Sequence, residues 1–520
     1  MGILSFLGFT ILVAVITYFA SRKYKGDIIV KDLTALTIAG SLLLTNLSTE
    51  QIVGLNGQAF TEGILVMAWE TLAAIAMVVT AIFLLPRYMK GKIITIPQFL
   101  EQRYDLNTKY ITSGLFLTGY AVVFLPIVLY TGSIAINTMF DVPQLLGVSD
   151  NIALWICVFS IGIIGSIYGV FGGLKAVVIS DTINAVGLLI GGVMIPVFGF
   201  IAIGDGSMMD GMNILFEENA DKFDAIGDSE SSIPFATIFT GMMLVQLFYW
   251  GTNQAIVQRA LAAKNLEEGQ KGILLASFIK ILGPIIVVLP GIIAFHMFGD
   301  TLEKADEAYP MLVNKVLPTS LVGFFAAVLF GAILSSFNSA INSSVALFAL
   351  DIYKPYINKE ASEQKVERSG KLFGIGLALF AMFIAPLLQY TESIFSYLQQ
   401  VNGCYSVPIL TIVVLGILSK RIPAIAAKVA IFAGAGLYLA YIILDATILE
   451  GFFPHFLHMM AILTVLIILL MIIIGKLYPR ETPFEQKYTG EPEYIEPWKY
   501  TKIVGVVICL LVVGVYIVFA

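Results

Sequence analysis

Five polar clusters interrupt a chain otherwise built of long apolar runs. A charged group at bilayer depth is costly and persists where it pairs or faces a wet cavity. The first cluster, Thr45-Asn46-Leu47-Ser48-Thr49-Glu50-Gln51, sits near the middle of one run. A lipid-facing helix does not hold such a stretch; a broken helix beside a watery cavity does, because its unwound backbone frees carbonyls and amides. The alternative is a helix boundary with a capping hydroxyl. The second cluster is Glu70 beside Trp69. The third, Gln246-Leu247-Phe248-Tyr249-Trp250-Gly251-Thr252-Asn253-Gln254, sets rings beside amides. That mixture suits a carbohydrate, since rings cover C–H faces while amides take hydroxyls; an interfacial aromatic belt is the alternative for Tyr249 and Trp250. The fourth is Lys280, the one basic residue outside every loop, whose expected partner is a buried acid or a polar substrate. The fifth runs from Ser335-Ser336 through Asn338, Ser339 and Asn342 to Ser344. Small polar residues let helices pack closely, and adjacent hydroxyls suit a hard cation that takes several oxygen ligands. Carbonyls from the break at the first cluster can complete such a shell.

These residues need membrane helices to position them. Of 520 residues, 58% are hydrophobic and 13% charged, with mean hydropathy +0.90. Soluble domains are about 45–50% apolar and about 25% charged. Apolar stretches of about 20 residues recur along the whole chain. The expected fold class is therefore all-α, a polytopic membrane protein of about fourteen transmembrane helices. Their approximate limits are 2–20, 37–57, 63–86, 110–139, 151–169, 176–204, 236–257, 272–297, 319–350, 371–389, 394–417, 425–446, 457–475 and 503–519. The first run lacks a basic leading segment and a small-x-small cleavage site. Arg22, Lys23 and Lys25 follow it, which marks a retained helix with a cytoplasmic C-terminus and not a signal peptide.

The charge map orients the spans. With the N-terminus outside, the inner loops are 21–31, 87–109, 170–175, 258–271, 351–371, 418–428 and 476–502, and they carry 26 of the 30 Lys and Arg residues. Lys222, Lys304 and Lys315 fall outside. This is the positive-inside pattern, so both termini are expected to be extracytoplasmic, in an inner or plasma membrane. The net charge of −6 says less than that distribution. The acidic loop from Asp205 to Ser232 reads as a solvated loop that can also concentrate cations. Residues 476–502, rich in Pro and Glu, read as a linker. Cys157, Cys404 and Cys509 lie in apolar runs, and His296, His455 and His458 lack zinc spacing. Neither a disulfide framework, a metal cluster nor an organic cofactor is expected.

The clusters, in this order, resemble the sodium:solute symporter family, especially its sodium/galactose branch and a bacterial subgroup of it that shares the stretch Leu44 to Gln51. The resemblance covers nearly the whole chain. It rests also on Tyr249 to Gln254, on Gln258-Arg259-Ala260-Leu261-Ala262-Ala263-Lys264, and on Ser335-Ser336 followed by Asp351-Ile352-Tyr353-Lys354. It implies a LeuT-type core of two inverted five-helix repeats, 37–204 and 236–417, within a single domain. The helix at 2–20 and the helices of 425–519 would be additions. Polar interruptions in the second and seventh spans, the first helix of each repeat, agree with discontinuous helices.

The resemblance also implies roles. Sodium would be held by carbonyls of Leu44, Leu47 and Ala332 and hydroxyls of Ser335 and Ser336. A sugar would meet Asn46, Gln51, Glu70, Gln246, Trp250, Lys280 and Gln399. Tyr249 looks like an inner gate, and Leu55, Trp69 and Phe395 like an outer one. Ala73 stands where the galactose symporters have a sugar-contacting Ser, Gln246 where they have Asn, and Trp69 where they have a gate Tyr; such changes can switch the sugar accepted. A second sodium site in some relatives corresponds to Asp181, Asn338 and Ser339, but Asn338 replaces a hydroxyl residue, so one sodium per cycle is expected. The expected partners are a small solute and membrane lipid, with no nucleic acid and no obligate protein.

The reading is thus a sodium-driven importer of a sugar-like solute. An amino acid or carboxylate is the alternative, since Lys280 could pair with a carboxylate. A membrane enzyme would need a His/Asp/Glu cluster or a nucleophile–base pair at depth, and none of the three histidines lies in the polar clusters. A channel would not need a single aromatic-capped site, and a sensor would carry a signalling domain.

Overall fold

Within a bilayer the backbone must satisfy its own hydrogen bonds, which a helix does along its length. The computed structural model describes residues 2–21, 32–302, 304–390, 394–449, 451–486 and 491–520, and within these all but the side chains of 20, 21, 168–176, 300, 390, 396 and 492. Arg22, Lys23, Lys25, Lys31 and Lys487 of the charge map lie outside the described residues, as does the Lys175 side chain. Among the described residues the secondary structure is helical, with one isolated bridge between Leu33 and Ala263.

The chain opens with α1 (Gly2–Ser21), then α2 (Ala35–Asn46) and α3 (Thr49–Glu62). Gly63, at φ +77°, turns the chain into α4 (Ala68–Val79), which a π-helical turn joins to α5 (Leu85–Lys90). Then come α6 (Ile96–Arg103), α7 (Leu106–Gly119), a second π turn at Tyr120–Phe124, α8 (Leu125–Phe140), α9 (Val142–Leu146) and α10 (Asp150–Ile203). After α11 (Met208–Glu218) follow α12 (Gly241–Gly251), α13 (Gln254–Leu261) and α14 (Leu266–Ile281). Next are α15 (Gly283–Val287), α16 (Leu289–Phe298), α17 (Ala308–Val316), α18 (Thr319–Ala346) and α19 (Glu363–Ile384). The chain finishes with α20 (Ile394–Leu418), α21 (Ala424–Thr447), α22 (Phe456–Leu477) and α23 (Thr501–Val518).

Eleven helical stretches among the described residues are long and apolar enough to cross a membrane, or twelve with the pair Leu266–Ile281 and Gly283–Phe298, bent by 53°. The two further spans of the sequence reading are the interrupted ones: α2 and the pieces α12 and α13 are too short to qualify alone, while α3 runs on within the stretch Thr49–Lys90 that also holds the third span. The chain is thus a multi-pass membrane protein.

Three expectations change. The loop expected at 170–175 is helical, and the fifth and sixth spans run on as α10. Gly172 and Gly173 weaken a helix by about 1 kcal/mol each but do not stop it as proline does. The acidic segment 205–232 is not all loop, since α11 occupies its first half and packs on α10. The described parts of 476–502 are tied down: Arg480 and Phe484 donate backbone N–H bonds to the carbonyls of Arg421 and Lys420, and Trp498 N bonds to Gln270 Oε1.

Candidate functional site

The break in the second span arises where leucines give way to hydroxyls and amides. Helix α2 ends at Asn46, and α3 restarts behind Ser48, whose extended backbone (φ −89°, ψ −178°) makes it the N-cap. The last carbonyls of a helix have no partner within it. The break is fully buried: Thr45, Asn46, Ser48, Thr49 and Glu50 are each at most 4% exposed. The seventh span breaks likewise between Gly251 and Gln254, where Asn253 caps α13 by accepting from Ala255 N at 3.0 Å. Tyr120 holds that cap, its hydroxyl donating to Asn253 Oδ1 at 2.8 Å.

Both breaks open onto one cavity. Its walls are Asn46, Glu50 and Gln51 from the first break; Trp69, Glu70 and Ala73 from α4; Val245, Gln246, Tyr249, Trp250 and Asn253 from the second; Tyr120 and Phe124 from the π turn; and Leu398, Gln399, Asn402 and Tyr405 from α20. Helix α12 packs on both α4 and α20, which brings these pieces together. Six of the seven residues expected to meet solute therefore line one space. Lys280 stands behind the wall, its ammonium donating to both Glu70 Oε2 and Asn46 Oδ1, 5.7 Å from the Trp250 ring centroid. Lys280 and Glu70 are each 1% exposed. The α14–α15 bend reaches this pair: a β-carbon on Gly283 would come within 2.4 Å of Glu70 Oε2, so a larger residue there must displace the carboxylate.

Of the expected gates, Tyr249 and Trp69 line the cavity. Phe395 does not line it but meets Trp69 edge-on, with ring centroids 5.3 Å apart, and presses on Gly54, where a β-carbon would fall 2.9 Å from Phe395 Cβ. Leu55, next along α3, is fully buried away from the cavity. Gln246 donates to the Trp69 carbonyl at 2.7 Å. The indole Nε1 of Trp69 is buried without a partner. Sequence reasoning passed over Glu50, Tyr120, Phe124, Val245, Asn253, Leu398, Asn402 and Tyr405 as site residues. Glu50 was as legible as Glu70, being an acid at bilayer depth; it accepts from Ser48 Oγ at 2.5 Å.

Behind the first break, α18 presents its hydroxyls. Ser336 Oγ donates to the Thr45 carbonyl at 2.8 Å, and Ser335 Oγ lies 3.3 Å from Thr45 Oγ1. Leu44, Leu47 and Ala332 are buried around the same crossing. The Asp181 region holds the Arg259 guanidinium. Ser41 donates to Asp181 Oδ2 at 2.6 Å, and Arg259 places Nε 2.8 Å from Ser41 Oγ and Nη2 3.6 Å from Asp181 Oδ2, while also donating to Ser339 Oγ. Counted in an inner loop from sequence, Arg259 is instead wholly buried in α13. Both polar atoms of the Asn338 side chain are buried and unpartnered.

Residues 29–434 match the sodium:solute symporter family. The chain belongs to this family. It is 46% identical over 521 residues to "Uncharacterized symporter YidK" of Escherichia coli (strain K12), covering 99% of this chain and 90% of that protein. It is 32% identical over 414 residues to a sodium/glucose cotransporter of Vibrio parahaemolyticus, covering 75% of this chain and 74% of that one. The fold is similar to a solved structure of a Na+-coupled sialic acid symporter, with TM-score 0.77 and 20% identity, covering 93% of this chain and 99% of that chain. This family member is accordingly a sodium symporter and not an enzyme, with sodium as its coupling ion. The polar breaks at Thr45–Gln51 and Gly251–Gln254 lie inside the matched region.

Proposed function

We propose that this symporter imports a neutral, polyhydroxylated solute, a sugar or close analogue, with one sodium ion per cycle. The observation that carries this reading is the pairing of Lys280 with Glu70 and Asn46. That pairing leaves the lining without a free cation: among the described residues that form it there is no Lys or Arg, while Glu50 and Glu70 supply two carboxylates. An anionic solute would enter with nothing to receive its charge. Gln51, Gln246, Gln399 and Asn402 offer amide donors and acceptors, and Trp250 and Tyr249 offer faces for C–H groups, the usual mixture of apolar walls and a few convergent polar groups. The sodium/glucose relative agrees with a sugar.

The sodium site assigned here comprises Ser335 and Ser336 with the carbonyls of Leu44, Leu47 and Ala332. The support is the approach of both hydroxyls to the end of α2, whose last carbonyls have no partner within the helix. The Asp181–Ser339 position is assigned to the Arg259 guanidinium, which accounts for one sodium and not two. Residues 37–204 and 236–417 form the two repeats, each opening on a broken helix, with 2–20 and 425–519 as additions. Both termini are extracytoplasmic, following the charge map.

The test is a thermal-shift and uptake screen of purified protein against sugars, polyols, amino acids and carboxylates, with sodium or choline as cation. Neutral sugars or polyols should stabilise the protein and be taken up in sodium and not in choline. Responses to carboxylates or amino acids alone would refute the reading. Ser336→Ala should raise the half-saturating sodium concentration at least tenfold at unchanged protein yield; unchanged sodium dependence would remove Ser336 from the site.

The orphan indole N–H of Trp69 gives a second check. A solute hydroxyl can accept from it. Trp69→Phe keeps the ring against Phe395 and removes the donor, so the half-saturating solute concentration should rise about tenfold, the worth of one hydrogen bond of ~1.4 kcal/mol. An unchanged value, measured by uptake at saturating sodium, would take Trp69 out of solute recognition.

A further inference from the structure

A second cavity, of about 360 Å³, opens far from the transport site, where the ends of α5 and α20 meet the segment 484–486. Arg87, Lys90 and Lys420 line it, and Glu485 is its one carboxylate. None of the three cations forms an ion pair among the described residues. The cavity is built, not incidental. Gln486 donates to the Arg87 carbonyl at 2.9 Å, and Phe484 N donates to the Lys420 carbonyl at 2.9 Å, so the segment is strapped across both helix ends. The buried Arg103 donates to the carbonyls of Gly416, Ser419 and Ile422, which quenches the negative end of α20 where it faces the cavity. Apolar residues near the cations are exposed: Phe83, one turn before Arg87, is 53% exposed, and Leu418, two residues before Lys420, is 74% exposed.

We propose that this cavity is a phosphate-recognising site for the headgroup of an anionic phospholipid, with acyl chains lying over Phe83 and Leu418. Arg and Lys side chains that form no ion pair, in a pocket between helix ends, attract a phosphodiester; of the three, Arg87 already donates to the Phe83 carbonyl. The exposed apolar rim assigns that phosphate to a lipid, because a soluble phosphate ester would gain nothing from Phe83 and Leu418. Helix α20 also carries Gln399, Asn402 and Tyr405 of the transport cavity, so the headgroup grips the far end of a helix that lines the solute site.

The test is native mass spectrometry of the full chain in detergent, with phosphatidylglycerol and phosphatidylethanolamine of the same acyl composition, and melting temperatures taken in parallel with each lipid and with inorganic phosphate. Phosphatidylglycerol should be retained at least tenfold over phosphatidylethanolamine and should raise the melting temperature. Arg87→Gln/Lys90→Gln/Lys420→Gln should lose that preference. Lys359→Gln/Lys365→Gln/Arg368→Gln, which removes three exposed charges elsewhere, should keep it. Should the triple variant not fold, Lys420→Gln alone, at an exposed position, should lower retention several-fold. Equal retention of both lipids, or equal loss in the two triple variants, overturns the site. Stabilisation by inorganic phosphate with none by phosphatidylglycerol overturns the lipid assignment.

Discussion

Lys280→Met should abolish solute uptake and lower the melting temperature by many degrees, whereas Lys280→Met/Glu70→Gln should recover the stability and not the uptake. Lys280 and Glu70 are opposite charges, each 1% exposed and bonded to one another. Taking one member from a buried pair leaves the other charged and unsolvated, at a cost of about 3–5 kcal/mol. Removing both charges together is often close to neutral. Function does not follow stability here. Lys280 also donates to Asn46 at the end of α2, so it fixes the mouth of the broken helix as well as the carboxylate that lines the cavity. The double variant should therefore unfold near the wild-type temperature and take up solute at no more than about a hundredth of the wild-type rate, a loss of ~2.7 kcal/mol in transition-state terms. Thermal unfolding in detergent and uptake into proteoliposomes read the two quantities separately. A double variant as unstable as Lys280→Met would show that the residues do not act as a pair. A Lys280→Met protein with wild-type uptake would remove the pair from the transport site.

The sequence made the two broken helices legible because each break is local. Thr45 to Gln51 and Gln246 to Gln254 are polar runs inside apolar ones, and no tertiary information is needed to see that lipid cannot face them. Lys280 stood out by the same logic, as a cation with no loop to belong to. What stayed hidden was set by contacts distant in sequence. Tyr120, Asn402 and Tyr405 sit in the cavity wall because of how α12 packs on α20 and how the π turn at Tyr120 re-aims its side chain; in sequence each is one more tyrosine or amide in a helix. Arg259 was miscounted for the opposite reason. Its neighbours Gln258 and Lys264 resemble a cytoplasmic loop, and only the fold shows α13 tucked between α2 and α18, with the guanidinium against Asp181 of α10. The basic cavity under 484–486 is formed by a segment whose composition, Pro and Glu, reads as solvated linker, and its backbone bonds to Arg421 and Lys420 leave no sequence pattern.

Arg259 carries the other large expected effect. Ser41, Asp181 and Ser339 together make an oxygen-rich, fully buried pocket, and the guanidinium is the cation that fills it. If the tethered cation is what excludes a free one, Arg259→Gln should open the pocket to sodium. Without sodium, the variant leaves Asp181 unpaired and should lose about 3–5 kcal/mol of stability. With sodium, an ion binding the folded state alone returns stability by mass action, so the melting temperature should climb with sodium far more steeply than in the wild type. Transport should then carry two positive charges per neutral solute in place of one, doubling the drive of about 2.3 kcal/mol per 100 mV that each charge contributes. Arg259→Lys keeps a tethered cation and should keep one charge per solute, which separates charge replacement from general damage. Arg259→Gln/Asp181→Asn, with no carboxylate to balance, should lose the added sodium dependence of the melting temperature. The readouts are charge-to-solute ratio in voltage-clamped proteoliposomes and thermal unfolding across a sodium series at constant ionic strength. An Arg259→Gln protein whose charge ratio and sodium-dependent melting both match the wild type would show that the guanidinium braces α2 against α10 and α18 and does not stand in for an ion.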